Sequence, residues 1–242
     1  MIVDLSVVIP AFNEVQRIRK TLQAIDRFFQ SKEYSYEIIV VDDGSEDGTG
    51  NFVLNMQHTI KNLTLLVLPT HQGKGAAVKA GMLSAKGDAV LFMDADGSTS
   101  IEEVEKLLPY VSKGFDVIVG SRLIAGAVKK TKQNIFRELL GWLFRRLTHM
   151  LIQTNVEDTQ NGFKLFSRVA AQKIFRELRT KAWSFDVETL VSAQKHHLKI
   201  KEVPIVWTND GQSNMRFLHM IQMLIDLFRI RRDRKDSQSP KG

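Results

Sequence analysis

Four short apolar runs in the first hundred residues restrict the possible folds of this chain most strongly. They lie at residues 5–10, 37–41, 63–68 and 89–93, and polar residues and a helix-like segment follow them. Runs of this length and composition are typical of strands buried in a parallel sheet. Strands that alternate with helices predict an α/β fold with a mostly parallel central sheet, flanked by helices and connected by right-handed crossovers.

The residues at the carboxyl ends of these strands are the first candidates for a functional site. Open α/β sheets bind ligands at that edge, in the crevice outside the strand ends. Residues far apart in sequence are therefore predicted to surround one pocket: Pro10, Phe12 and Glu14 after the first strand, Asp42 after the second, Lys74 after the third, and Asp94 and Asp96 after the fourth.

Asp94 and Asp96 predict a divalent-cation site. Residues i and i+2 of a strand face the same side, so the two carboxylates can converge just beyond the strand end. Such carboxylates repel each other unless a cation lies between them, and Mg²⁺ and Mn²⁺ prefer oxygen ligands such as carboxylates and substrate phosphates. The pattern favours a metal–diphosphate ligand. The alternative is a solvated turn, since Asp and Gly are common in turns.

Asp42 and Lys74 are two further polar candidates in this half. Asp42 is predicted to accept a hydrogen bond from a nucleobase or ribose, with an Asx turn as the alternative. Lys74 lies between two glycines at a predicted helix start, where a phosphate can also reach backbone amides. The surrounding sequence does not fit the GxxxxGK[ST] pattern, so an ATPase is not predicted.

The second half of the chain is basic and contains two amphipathic helices. Residues 1–110 carry a net charge of −5 and residues 111–242 one of +12, which predicts an anionic partner for the second half. The helix predicted near 134–153 has an apolar stripe that includes Leu143, Met150 and Leu151. It is either a core helix or one that lies in a membrane interface. The polybasic end of the helix near 215–230 favours docking on anionic lipid. A fifth strand is predicted to end at Arg122, whose side chain either reaches a phosphate or forms a structural ion pair. Residues 127–134 are predicted to form a basic loop.

Composition excludes several other classes of protein. The chain has no cysteine, so disulfides and thiolate metal sites are excluded. No signal peptide is predicted, nor any of the stretches of about 20 apolar residues that cross a bilayer. A helix-turn-helix pattern and alternating exposed aromatic residues are missing, so nucleic acid is not a predicted partner.

Motifs between residues 5 and 212 resemble those of the inverting GT-A glycosyltransferases of the dolichyl-phosphate sugar synthase type. They are most similar to the β-glucosyltransferase branch, which acts on dolichyl phosphate. The resemblance rests on the segments Val8-Ile9-Pro10-Ala11-Phe12-Asn13-Glu14, Val41-Asp42-Asp43-Gly44-Ser45, Asp94-Ala95-Asp96-Gly97, Gly120-Ser121-Arg122, Asp158-Thr159-Gln160-Asn161-Gly162-Phe163-Lys164-Leu165-Phe166 and Trp183-Ser184-Phe185-Asp186-Val187-Glu188.

The resemblance implies a GT-A, Rossmann-like fold and the transfer of a hexose to a polyprenyl or dolichyl phosphate. Glucose from UDP-glucose is the expected donor, and the enzyme is expected to be peripheral at the cytoplasmic face of a membrane. Residues 1–210 form the expected GT-A domain, with a nucleotide-sugar half at 1–98 and an acceptor half at 99–210. Residues 211–242 form an amphipathic basic segment. A GT-A enzyme acting on a glycan hydroxyl and a non-catalytic membrane-binding module are the alternatives.

The resemblance also implies roles for individual residues. Asp158 would orient the acceptor or assist its deprotonation, or cap a helix as the alternative, and Gln160 would complete the nucleotide or metal environment. Arg122 and Arg137 would bind the acceptor phosphate, for which arginine is well suited. Because a lipid phosphate is already anionic near neutral pH, a strong general base is not required. The nucleotide sugar is assigned to Pro10, Phe12, Glu14, Asp42, Lys74 and Asp94, and Mg²⁺ or Mn²⁺ to Asp94 and Asp96.

Overall fold

The computed structural model describes residues 3–130, 135–208 and 217–238, and side chains within 4–130, 141–208 and 222–233. Its strands are β1 (Val3–Ala11), β2 (Tyr36–Asp42), β3 (Leu63–Val67), β4 (Gly87–Met93), β5 (Val117–Ser121), β6 (Val128–Lys129), β7 (Phe163–Ser167), β8 (Ile200–Pro204) and β9 (Val206–Trp207). The first five match the predicted strands to within a few residues. Part of the predicted basic loop is instead β6, which pairs with β9.

Eight helices lie among the described residues: α1 (Val15–Gln30), α2 (Thr49–Met56), α3 (Lys74–Ser84), α4 (Val104–Ser112), α5 (Ile135–Ile152), α6 (Arg168–Glu177), α7 (Phe185–Lys195) and α8 (Phe217–Gln238). A 3-10 turn over Ile101–Glu103 leads into α4. No helix in the described part of the chain is long and apolar enough to cross a bilayer.

Seven strands form one sheet in the order β3-β2-β1-β4-β7-β5-β8. Every neighbouring pair is parallel except the two that involve β7, which runs antiparallel to both β4 and β5. The predicted mostly parallel α/β sheet is therefore confirmed. Because β7 is reversed, the loop that enters it lies at the same sheet edge as the loops that leave β1, β2, β4 and β5.

Three apolar clusters hold the layers together. On one face of the sheet, α1 and α4 bury Ile18, Leu22 and Leu107. The other face is covered by α3, α6 and α7, which supply Val78, Ile174 and Leu190, among others. The third cluster lies between α5, α7 and α8 and contains Phe144, Leu151, Val187, Val191, Met223 and Leu227. The two predicted amphipathic helices therefore pack against each other and against α7.

Candidate active site

Lys74 and Asp94 meet at the carboxyl edge of the sheet. Asp94 follows β4 directly, and Lys74 is the first residue of α3. The ammonium nitrogen of Lys74 lies 2.6 Å from Oδ1 of Asp94. It also lies 5.5 Å from the ring centre of Phe92 and 5.2 Å from that of Trp183, within the range of a cation–π contact. Burial would lower the pKa of Lys74, but the charges of Asp94 and Asp186 raise it above its ordinary value.

The backbone of Gly162 fixes the other side of Asp94. The amide of Asp94 donates a hydrogen bond to the carbonyl of Gly162 at 3.0 Å. A Cβ atom on Gly162 would lie 2.0 Å from Oδ2 of Asp94, far inside van der Waals contact. Only glycine fits at this position while Asp94 keeps its place, so the loop before β7 is part of the same site.

Asp96 is the carboxylate of this site without an ion-pair partner of its own among the described residues. Its Oδ1 accepts a hydrogen bond from the amide of Ser98 at 2.9 Å. Burial and the neighbouring charge of Asp94 raise the pKa of Asp96 above its ordinary value. Asp96 also borders a cleft of about 360 Å³ between α1 and the loop after β4.

The carboxylate oxygens of Asp94 and Asp96 are suitable ligands for a hard divalent cation. In the described part of the chain, no three Asp, Glu, His or Cys side chains cluster as a complete metal cage. Two carboxylates that combine with ligand phosphates and water are, however, the usual arrangement for Mg²⁺. Oδ1 of Asp94 is buried without a well-aligned hydrogen-bond donor among the described residues, and Asp96 forms no ion pair with them, so both carboxylates have oxygens available to a cation. Asp94 and Asp96 could hold such a cation.

The other residues predicted for the nucleotide sugar lie at the ends of β1 and β2, which are in register from Leu5 to Ala11. Pro10 is buried in β1, and Phe12 stacks on His71 with 3.8 Å between ring centres. Glu14 is paired with Arg17; burial raises the pKa of Glu14 despite this partner. Their contacts with a nucleotide stay predictions.

Asp42 is engaged in a turn. Its Oδ1 accepts hydrogen bonds from the amide and the hydroxyl of Ser45, and the side chain is buried. The bond reaches an amide three residues on, one further than in an Asx turn, and α2 begins only at Thr49. Asp42 therefore closes a local turn without capping the helix, and its contact with a nucleobase or ribose stays a prediction. The neighbouring Asp43 accepts hydrogen bonds from the amides of Gln72 and Gly73, each at 2.8 Å, and so ties the loop before α3 to the end of β2.

Arg122, which is partly buried, forms an ion pair with the buried Asp158. The guanidinium Nε and Nη2 donate to the two oxygens of Asp158 at 2.8 Å each, and the amide of Arg122 donates to Oδ2 at 2.9 Å. Burial would raise the pKa of Asp158, but Arg122 holds it below its ordinary value. Asp158 therefore does not cap a helix; Ser167 caps α6. Gln160 is half-buried in the same loop. The side chain of Arg137 lies outside the described residues.

Lys164 and Asp186 are charged residues of this region for which no role was predicted. Lys164 lies in β7 with its side chain 1% exposed, and its ammonium donates to Asp186 and to the carbonyl of Asn161. Burial raises the pKa of Asp186, against the opposing charges of Lys164 and Lys74. A lysine at the second position of the apolar run Phe163–Ser167 was the available signal. Glu188, in contrast, accepts hydrogen bonds from the amides of Arg179 and Thr180 and buttresses that loop.

Residues 6–175 match the model of glycosyl transferase family 2. The match covers more than half of the chain, and the chain therefore belongs to this family of glycosyltransferase enzymes. The dolichyl-phosphate beta-glucosyltransferase of Dictyostelium discoideum is 38% identical over 240 residues, which cover 94% of this chain and 73% of that protein. The Homo sapiens protein of the same name is 34% identical over 246 residues, with 94% and 75% covered.

Solved structures support the fold. Glucosyl-3-phosphoglycerate synthase from Mycobacterium tuberculosis, crystallised with Mn²⁺, UDP-glucose and phosphoglyceric acid, has a TM-score of 0.74 to this chain. The superposition covers 98% of this chain and 81% of that one at 17% identity. At this level of identity the likeness concerns the fold alone, and it confirms the predicted GT-A architecture.

Proposed function

We propose that this enzyme transfers glucose from UDP-glucose to the phosphate of a dolichyl-type polyprenyl lipid, with inversion at the anomeric carbon. The observation that carries the proposal is the reach of the similarity to dolichyl-phosphate beta-glucosyltransferases, which extends over 92–94% of the chain. It therefore includes β7, α7 and the Arg122–Asp158 pair, beyond the strands that form the donor side.

The donor would lie at the ends of β1, β2 and β4. Asp94 and Asp96 would hold Mg²⁺ or Mn²⁺, which, when bound, would neutralise charge that develops on the departing diphosphate. Lys74 would contact the diphosphate, and the Phe12–His71 stack lies where the loops after β1 and β3 meet. Pro10, Glu14, Asp42 and Gln160 would shape the pocket around the nucleotide.

The acceptor side requires positioning more than base catalysis. A phosphate monoester with a second pKa of about 6 is already anionic near pH 7, so no residue must remove a proton from a poorly acidic hydroxyl. Asp158, whose pKa is lowered by Arg122, is a weak base. We assign it to positioning: Asp158 fixes the guanidinium through Nε and Nη2, so that Nη1 of Arg122 faces an anionic acceptor. Arg137 is proposed as a second contact for that phosphate.

The helices α5 and α8 would dock on the membrane that holds the lipid. Their inner faces pack together, but Trp142 and Met150 of α5 are 51% and 65% exposed, and Phe228 of α8 is 60% exposed. Arg146 lies over the ring of Trp142, and Arg229 and Arg232 are exposed on α8. Apolar side chains beside arginines are typical of helices that lie at an anionic lipid surface.

Transfer of label into an organic phase tests the proposed reaction. The protein is incubated with radiolabelled UDP-glucose, Mn²⁺ or Mg²⁺, and polyprenyl phosphate in liposomes, with GDP-mannose and UDP-N-acetylglucosamine as matched donors. We expect a labelled lipid with UDP-glucose that depends on the lipid phosphate. If UDP-glucose is hydrolysed slowly but labels no lipid, the acceptor assignment is wrong and a glycan hydroxyl becomes the candidate.

Flotation with vesicles tests the docking surface. Trp142→Ser and Phe228→Ser each remove a large exposed apolar side chain, worth about 1.5–3 kcal/mol when fully buried. We expect each to weaken binding to vesicles that contain phosphatidylglycerol by about tenfold. Leu54→Ser is the matched control, because Leu54 is equally exposed but lies on α2. Equal binding by all three variants would remove α5 and α8 as the docking surface.

A further inference from the structure

Lys74 and Asp94, which contact each other, are both proposed to bind the nucleotide-sugar donor. Oδ1 of Asp94 is buried and receives no well-aligned hydrogen bond from the described residues, although the ammonium of Lys74 lies 2.6 Å away. Lys74 is therefore the one described cation in contact with Asp94. Asp96, the second carboxylate, has no cation of its own among the described residues.

We propose that Lys74 takes, in the free enzyme, the place beside Asp94 that a divalent cation takes when the donor is bound. The cation and the nucleotide diphosphate then bind as a pair, and Lys74 moves from Asp94 to the diphosphate. This inference rests on the proposed donor, but it gives Lys74 a second role, which is to keep the cation site weak until a diphosphate is present.

Electrostatics requires the two events to be coupled. A divalent cation binds carboxylate oxygens at about 2.0–2.1 Å, and an ammonium that stays 2.6 Å from the same oxygen would repel it strongly in a partly buried site. A displaced Lys74 would leave its charge between Phe92 and Trp183 without its anionic partner. A diphosphate removes the electrostatic cost of this unpaired ammonium, because its oxygens can bind Lys74 and the cation at the same time.

Asp186 gives Lys74 a place in the site after it leaves Asp94. The charge of Asp186 acts on Lys74 directly, second only to that of Asp94 among the charges that raise the pKa of the lysine. Asp186 is itself fixed by Lys164. Phe92 and Trp183, whose ring centres lie 5.5 and 5.2 Å from the ammonium, also remain beside it. We therefore expect a short movement of Lys74 to the diphosphate rather than an escape to solvent.

Binding of Mn²⁺ alone, measured from the electron paramagnetic resonance signal of free Mn²⁺, tests the proposal without lipid or turnover. Wild type is compared with Lys74→Met, with and without UDP. Lys20→Met is the matched control, since Lys20 borders the cleft beside Asp96 and the same charge is lost there without contact to Asp94. Lys74→Gln keeps a polar side chain and replaces Lys74→Met if that variant fails to fold.

In wild type we expect weak binding of Mn²⁺ alone and a gain of at least about tenfold when UDP is present, within the usual range for coupled sites. In Lys74→Met, Mn²⁺ alone should bind about tenfold more tightly, and the gain from UDP should fall by at least about fivefold. Lys20→Met should stay within about twofold of wild type in both arms.

Two results would overturn the proposal. The first is an unchanged affinity for Mn²⁺ alone in both Lys74 variants. The second is an equal rise in Lys20→Met, which would show that only net charge matters. If UDP binds to none of the proteins, the proposed donor is wrong, while the comparison with Mn²⁺ alone still decides the role of Lys74.

Discussion

Two charged clusters lie side by side at the carboxyl edge of the sheet, and they differ in how their charges are balanced. In the closed cluster, around β5 and β7, each carboxylate has its own cation: Arg122 for Asp158 and Lys164 for Asp186. In the open cluster, after β4, two carboxylates share Lys74, and Asp96 forms no ion pair with the described residues. The closed cluster is complete without a ligand, whereas the open cluster lacks positive charge.

The pKa shifts of two buried carboxylates express the same difference. Burial acts to raise the pKa of both. Arg122 more than compensates at Asp158, whose pKa is lowered, whereas Asp94 adds to the effect at Asp96, whose pKa is raised. Asp158 therefore stabilises the fold, whereas the charge of Asp96 costs stability until a cation arrives. Asp186 differs from Asp158, because burial raises its pKa despite the opposing charge of Lys164.

Removal of one charged residue of the closed cluster should cause the largest loss in the free energy of unfolding. Asp158→Asn leaves the guanidinium of Arg122, whose side chain is 23% exposed, without its counter-charge, which should cost about 3 kcal/mol, the lower end of the range for fully buried pairs. We expect a loss of this size in the free energy of unfolding measured with urea. Glu177→Gln is the control, since Glu177 pairs with Lys195 on the surface and such pairs contribute about 1 kcal/mol or less. Equal losses of unfolding free energy in the two variants would mean that the Arg122–Asp158 pair contributes no more than a surface ion pair.

Removal of Asp96 should affect activity rather than stability. Asp96→Ala deletes one of the two carboxylates proposed to hold the cation, and we expect transfer to fall by at least about 100-fold, as when one transition-state contact is lost elsewhere. Because the raised pKa of Asp96 marks a destabilising charge, the midpoint of thermal unfolding should not fall. Asp88→Ala, at the exposed opposite end of the same strand, should leave both quantities unchanged. A folded Asp96→Ala enzyme with near-normal turnover would remove the metal assignment.

Gly162 links the two clusters, and a methyl group there should damage the open one. In Gly162→Ala, the new Cβ would collide with Oδ2 of Asp94, and the resulting shift should weaken binding of UDP with Mn²⁺ by about tenfold, consistent with the roughly 1–3 kcal/mol usual for overpacking. Gly141→Ala is the control. Its Cβ would meet Arg145 at an ordinary 3.6 Å, so titration calorimetry should give wild-type affinity.

The smallest expected effect concerns how the free energy of unfolding of the closed cluster variant Asp158→Asn depends on pH. Asp158 has a lowered pKa in the fold, so its contribution is fully present above its ordinary value of 3.8 and is lost only as the pH falls through the lower folded value. The difference in unfolding free energy between wild type and Asp158→Asn should therefore be constant from about pH 7 to about pH 5. A difference that already narrows in this range would mean that Asp158 is not held by Arg122.

The open cluster was predictable from sequence, because it depends on where strands end. The apolar run before Asp94 and the glycines around Lys74 placed both residues at the same edge of a parallel sheet, and they lie in contact. An ion pair of Arg122 was one of two interpretations of the sequence, but its partner, Asp158, was not predicted. The pairing depends on β7 entering the sheet between β4 and β5, and sequence periodicity does not reveal strand order.

The amphipathic helices α5 and α8 show a second limit of prediction from sequence periodicity. The sequence predicted one apolar stripe along α5 that includes Leu143, Met150 and Leu151. The structure divides it, because Leu151 packs against α7 and α8 while Leu143 and Met150 are exposed. The apolar stripe is wider than the surface that α7 and α8 cover. The position of α8 therefore determines which apolar residues of α5 remain exposed.

The reversed strand β7 also determines how closely the two substrates can approach each other. Met93 is paired with Phe163 in the β4–β7 ladder, so the residues that follow β4 and those that precede β7 leave the sheet from adjacent rungs. Adjacent strands are about 4.8 Å apart, a spacing set by peptide hydrogen bonds and not by any side chain. The loops proposed to bind the donor and the acceptor therefore begin from neighbouring backbone positions of the sheet. Side chains on either loop can be exchanged to suit another sugar or another lipid without changing the distance across which the sugar must travel.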